Sequence, residues 1–156
     1  MLILDATTKS LEIDLAGAVS ANELPVTAHY TDITTTLYTP GSNDTQTNGS
    51  TAATIVAAPA ASTQRHVESI SVYNADTAAA TVTIQLNNNS TLRIITKVTL
   101  QPGETFFYED GMGWQILDYS GNVQKITDAT LSGAPVVMTV NSDGTPYYFK
   151  AYPTKA

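Results

Sequence analysis

Apolar residues recur at every second position along much of this chain, and that period decides what it can fold into. Leu11, Ile13 and Leu15 alternate with Glu12, Asp14 and Ala16, while Val82, Ile84 and Leu86 alternate with Thr81, Thr83 and Gln85. Val26, Ala28 and Tyr30 repeat the pattern. A period of two places one set of side chains on a dry face and the other on a wet face of a strand. A helix would need apolar residues at i, i+3, i+4 and i+7, and no window supplies them convincingly. The Ala-rich run at 52–61 contains Pro59 and the β-branched Ile55 and Val56, which work against a helix there.

Turn-forming clusters punctuate these segments. Asn74-Ala75-Asp76-Thr77, Asn87-Asn88-Asn89-Ser90, Gln101-Pro102-Gly103-Glu104, Glu109-Asp110-Gly111, Tyr119-Ser120-Gly121-Asn122 and Asn141-Ser142-Asp143-Gly144 fall between alternating runs. A spacing of about ten residues is the rhythm of a sandwich or barrel. The expected fold is all-β: an antiparallel β-sandwich or jelly-roll-like barrel with N- and C-terminal extended strands. Residues 1–40 read as N-terminal strands or an arm, and residues 41–61 as a polar surface loop and linker. Residues 62–122 read as the sandwich core, with strands at 66–73, 79–87, 91–100, 104–109 and 113–118. Residues 123–156 read as a C-terminal hairpin that contributes to subunit contacts. Within 40–54 the Gly, Ser, Asn, Asp, Thr and Gln residues offer little to bury, so that stretch is expected to be mobile or held by another molecule.

Charge narrows the function classes. Charged residues make up 13% of the 156, and the net charge is −7. Phosphate neutralisation requires clustered Lys and Arg, whereas the seven basic residues here are scattered, so direct nucleic-acid binding is not expected. No stretch approaches the roughly 20 apolar residues of a membrane span, and the start does not read as a signal peptide. With no cysteine there is no disulfide frame, thiolate zinc site or thiol nucleophile.

Residues able to do chemistry are sparse. The histidines are His29 and His66, placed on separate strands without a nucleophile elbow, and they read as surface or interface residues. Glu104, Glu109 and Asp110 are the nearest candidates for a glycosidase pair, yet all three belong to turns. The Asn141–Gly144 turn lacks the remaining oxygen ligands of a calcium loop and reads as a hairpin turn. No catalytic residue, metal or cofactor is expected. The aromatic run Tyr147, Tyr148, Phe149 and Tyr152 places large rings on both faces of one strand, which calls for cover on both sides. With Leu2 and Leu4 of the N-terminal strand, these residues are the expected interface set.

The segment 69–117 resembles small virion proteins of tailed bacteriophages. The likeness lies in Val72-Tyr73-Asn74 before a short turn, the strand Thr81-Val82-Thr83-Ile84-Gln85-Leu86, and Val98-Thr99-Leu100-Gln101-Pro102-Gly103-Glu104-Thr105. It continues through Tyr108-Glu109-Asp110-Gly111-Met112-Gly113-Trp114-Gln115-Ile116-Leu117. The resemblance implies a non-enzymatic capsid decoration (cement) protein. Such a protein forms a homotrimer, binds the major capsid protein on the outer head surface, and resides in the host cytoplasm during assembly. A tail or fibre component is the nearest alternative. A carbohydrate-binding module or adhesin, using Trp114, Tyr119 and the terminal tyrosines as stacking groups, is the other.

Overall fold

The computed structural model describes residues 1–124, and every described element is a β-strand. Ten strands run in chain order: β1 Leu2–Leu4, β2 Lys9–Leu15, β3 Pro25–Ile33, β4 Tyr38–Gln46, β5 Ala53–Val56, β6 Gln64–Tyr73, β7 Ala80–Asn88, β8 Thr91–Leu100, β9 Thr105–Glu109 and β10 Gly113–Leu117. They form two antiparallel sheets packed as a sandwich. One has the order β10-β9-β6-β3-β4, with β1 also paired to β6, and the other has the order β5-β2-β7-β8.

Alternation becomes burial through register. Leu11, Ile13 and Leu15 of β2 stand opposite Leu86, Ile84 and Val82 of β7, so both strands send aliphatic side chains to one face. Across the sandwich, Val26 and Ala28 of β3 pair with Val72 and Ile70 of β6. These residues, with Leu24, Ile55, Val56, Val67, Leu100 and Phe106, form one continuous core.

Turn chemistry closes the hairpins. Between β7 and β8 the two loop residues Asn89 and Ser90 have φ of 51° and 68°, the left-handed pair that matches the twist of a tight hairpin. Gly103 takes φ 84° in the Pro102-Gly103 turn, a conformation that a Cβ would strain.

Of the two readings of residues 1–40, the strands hold and the arm does not: β1, β2 and β3 all pair within the sheets and supply Leu4, Leu11, Ile13, Leu15, Val26 and Ala28 to the core. Residues 62–122 therefore supply only part of the sandwich. Although 47–52 do form a turn leading to β5, 40–46 is not a loop, because β4 pairs along its whole length with β3, from Pro25↔Gln46 to Ile33↔Tyr38. It needs no apolar pattern because it lies at a sheet edge, where ladder hydrogen bonds satisfy one side of the backbone and water the other. Pro40 is tolerated at such an edge, since its missing N–H removes no inner ladder bond. Further along, Ile55 and Val56 of the supposed linker are fully buried in β5. Tyr147, Tyr148, Phe149 and Tyr152 lie outside the described residues.

Gly41 on β4 has a specific reason to be glycine. A Cβ there would stand 2.6 Å from Cε2 of Tyr30, whose ring lies over the Gly41 backbone. Gly41→Ala is expected to destabilise the protein by about 1–3 kcal/mol in chemical denaturation. In a Tyr30→Ala background the same change should cost little, and equal costs in both backgrounds would contradict the overlap.

Candidate interaction surface

On β1, period-two alternation directs Leu2 and Leu4 inward and Ile3 outward. Leu4 is 1% exposed and Leu2 packs against the core, while Ile3 is 38% exposed. For Leu4 the expected subunit contact is corrected, since it is consumed by the chain's own core, while Leu2 is half-buried; β1 pairs with β6 of the same chain through Leu2↔Val67 and Leu4↔Arg65. The amino terminus is held nearby, its ammonium 3.1 Å from Asp110 Oδ1.

The histidines prove to lie on neighbouring strands, since His29 of β3 pairs with Ser69 of β6 and His66 of β6 pairs with Thr31 of β3. His29 is exposed, and His66 keeps Nε2 buried without a hydrogen-bond partner among the described residues. Glu104 is nearly buried, accepting from Gln101 N at 2.7 Å and from Gln124 Nε2 at 2.5 Å, so it fixes the turn before β9. Glu109 closes the same five-residue strand, which puts it roughly 15 Å away at strand rise, beyond the spacing of a glycosidase pair. Among the described residues, no three acidic or imidazole groups gather as a metal site requires.

The strongest polar cluster is one that sequence spacing does not reveal. Arg65 Nε and Nη2 donate to the two Asp32 carboxylate oxygens at 2.7 and 2.8 Å, Nη1 donates to Ala57 O at 3.0 Å, and the guanidinium carbon lies 4.0 Å over the Tyr30 ring. A bidentate pair stacked on an aromatic face is the arrangement in which Arg is not replaceable by Lys. The guanidinium holds the Asp32 carboxyl below its ordinary value. Beside this cluster, residues 5–7, 33–35 and 60–64 line an open cleft of about 760 Å³. Its one ionisable lining residue is Asp5, which is paired with Lys9.

Aromatic residues proposed as stacking platforms separate into two kinds. Trp114 stacks on Phe106 with centroids 4.7 Å apart and tilts against Tyr108 at 4.9 Å, so it closes the rim of the core. Tyr119 stands 85% exposed and has no such support among the described residues.

Three large aliphatic side chains stand exposed within four residues of β8. Among the described residues β8 is an edge strand, paired only with β7. Leu92 and Ile94 are 53% and 66% exposed, and Ile95 is 36% exposed. Leu92 stands opposite Asn87 and Ile94 opposite Gln85, which places both on the outer face of the sheet, away from Ile84 and the core. A register shift opposite Ile84/Gln85 makes Ile95 the extra residue of a bulge. Exposed edges with large aliphatic side chains are uncommon, because they invite pairing with another chain. The run was legible as a strand; its place at an edge depends on non-local pairing that no local pattern encodes.

The outer face next to this edge carries a half-buried acid. Asp14 of β2 stands opposite Thr83, which stands opposite Lys97 of β8. Its Oδ1 is buried without a hydrogen-bond partner among the described residues, and desolvation pushes the carboxyl above its ordinary value despite the attraction of Lys97. Comparison with family models, curated proteins and solved structures found no match.

Two pH dependences follow. Because Asp32 has a lowered pKa when folded, its contribution is present above the unfolded value near 3.8 and is lost as pH falls through the lower folded value. Asp32→Asn should destabilise by about 1–3 kcal/mol at pH 7 and converge on the wild type in strong acid. Asp14 has the opposite sign: a raised folded pKa makes its ionisation unfavourable to folding as pH rises past 3.8. Asp14→Asn should therefore raise Tm relative to the wild type at pH 7 and less so at pH 3, as measured by thermal denaturation across that range.

Proposed function

We propose that this chain is a non-enzymatic virion structural protein, a capsid decoration protein that binds and bridges neighbouring major capsid proteins on the outer surface of a tailed-bacteriophage head. The observation that carries the reading is the exposed aliphatic edge strand β8, with Leu92, Ile94 and Ile95 open to solvent. An exposed edge of this kind suits contact with another protein, whereas a small-molecule site is concave and encloses its ligand. Further support comes from the segment 69–117, whose likeness to small virion proteins lies in residues of β6, β7, β9 and β10 and the end of β8. A net charge of −7 suits a protein that works outside the shell, where it has no genome to neutralise. The reading includes self-association as a homotrimer.

The test is cosedimentation of the purified protein with assembled shells of the major capsid protein encoded in the same genome. Saturable binding at a fixed ratio to capsid subunits is the expected result, with sedimentation equilibrium giving three copies per free particle. Copurification with tails and not with heads, or no binding to shells at micromolar concentration, would overturn the assignment.

A further inference from the structure

Among the described residues the cationic side chains are Lys9, Arg65, Arg93 and Lys97. Lys9 is paired with Asp5 and Arg65 with Asp32, and both remaining cations, which form no ion pair with a described residue, lie on β8. On a chain with 14 acidic and seven basic residues, this edge is a local reversal of sign. Lys97 shares the outer face with Leu92 and Ile94, since its partner Thr83 lies in the same outward row as Gln85 and Asn87. Arg93 stands opposite Leu86 and points to the other side of the strand. The exposed edge is thus aliphatic on one face and flanked by a cation on each.

We propose that β8 docks an extended acidic segment of another protein, which adds a strand beside Thr91–Leu100. Its apolar side chains would rest on Leu92 and Ile94, its carboxylates would meet Arg93 on the opposite face, and Lys97, at the end of the Leu92 and Ile94 row, would add attraction at longer range. Main-chain groups on the outward side of an edge strand supply hydrogen bonds to any extended peptide, and the side chains supply the choice. A second copy of β8 is the poorer occupant. Antiparallel self-pairing would gather two copies of Arg93 and two of Lys97 along one boundary, and like charges collected there are unfavourable. The bulge at Ile95 limits the regular ladder to a short stretch, which suits recognition of a short segment more than open-ended stacking of sheets.

The proposal rests on the reading of the protein as a binder of other proteins, and the experiment separates the two. Full-length protein is titrated with a synthetic peptide of alternating valine and glutamate and, separately, with its valine–lysine counterpart, while backbone amide shifts are followed by NMR. The acidic peptide should bind at least about tenfold more tightly, with the shifts centred on residues 91–97. The double variant Arg93→Glu, Lys97→Glu should reverse the preference, and Arg93→Gln, Lys97→Gln should abolish it while leaving the amide spectrum of the core intact. Equal binding of the two peptides, binding of neither, shifts centred elsewhere, or concentration-dependent shifts at 91–97 without peptide would each overturn the proposal. Shell binding that is unchanged in the charge-reversed protein sinks this inference and leaves the capsid reading standing. Peptide discrimination without any shell binding does the reverse.

Discussion

Everything in this fold depends on the register of β2 against β7. Ile13 faces Ile84, and their neighbours Glu12 and Asp14 face Gln85 and Thr83 on the opposite side. Because the side-chain period is two, a slip of one residue would turn Glu12 and Asp14 into the core and Leu11, Ile13 and Leu15 out to water. Burying even one unpaired carboxylate is costly enough to exclude that alternative. The register is further pinned by Asn87, which donates to Glu12 Oε1 at 2.7 Å on the outer face. With β2 and β7 fixed, β5 and β8 can occupy only the flanks of the sheet, which is why β8 stands at an edge.

Side-chain carboxylates anchor the loops that this register brings together. Asp76, just after β6, accepts from the backbone N–H groups of Ser20, Ala21 and Asn22 at 2.8, 2.7 and 3.2 Å, tying the β2–β3 connection to the β6–β7 connection. Those hydrogen bonds hold its pKa below the ordinary carboxylate value. Glu23 does similar work for the next turn, accepting from Thr47 Oγ1 and from the backbone N–H of Gly49. Much of the acidic excess in this sequence is thus structural, and the cations remaining on β8 stand out against it.

Strands whose own pattern alternates were legible from the chain alone. The expected boundaries at 66–73, 79–87, 91–100, 104–109 and 113–118 lie within two residues of β6 to β10. Legibility failed where burial is not the reason a strand exists. Residues 38–46 form β4 because β3 offers them a ladder, and nothing in Thr39, Pro40, Gly41, Ser42 and Asn43 announces it. The same limit hid the Tyr30–Asp32–Arg65 cluster, whose members become neighbours only when β3 pairs with β6. For β1 the sequence showed a short apolar strand, and alternation alone could not tell whether Leu4 faces its own core or a neighbour.

The claim that β8 is the working surface is tested most directly by hydrogen exchange on full-length protein, free and bound to capsid shells. The outward amides of an unpaired edge strand should exchange quickly in the free protein and become protected on the shells, while the amides of β2 and β7 stay slow in both. Protection of β8 already present in the free protein, or protection on the shells confined to other strands, would contradict the account.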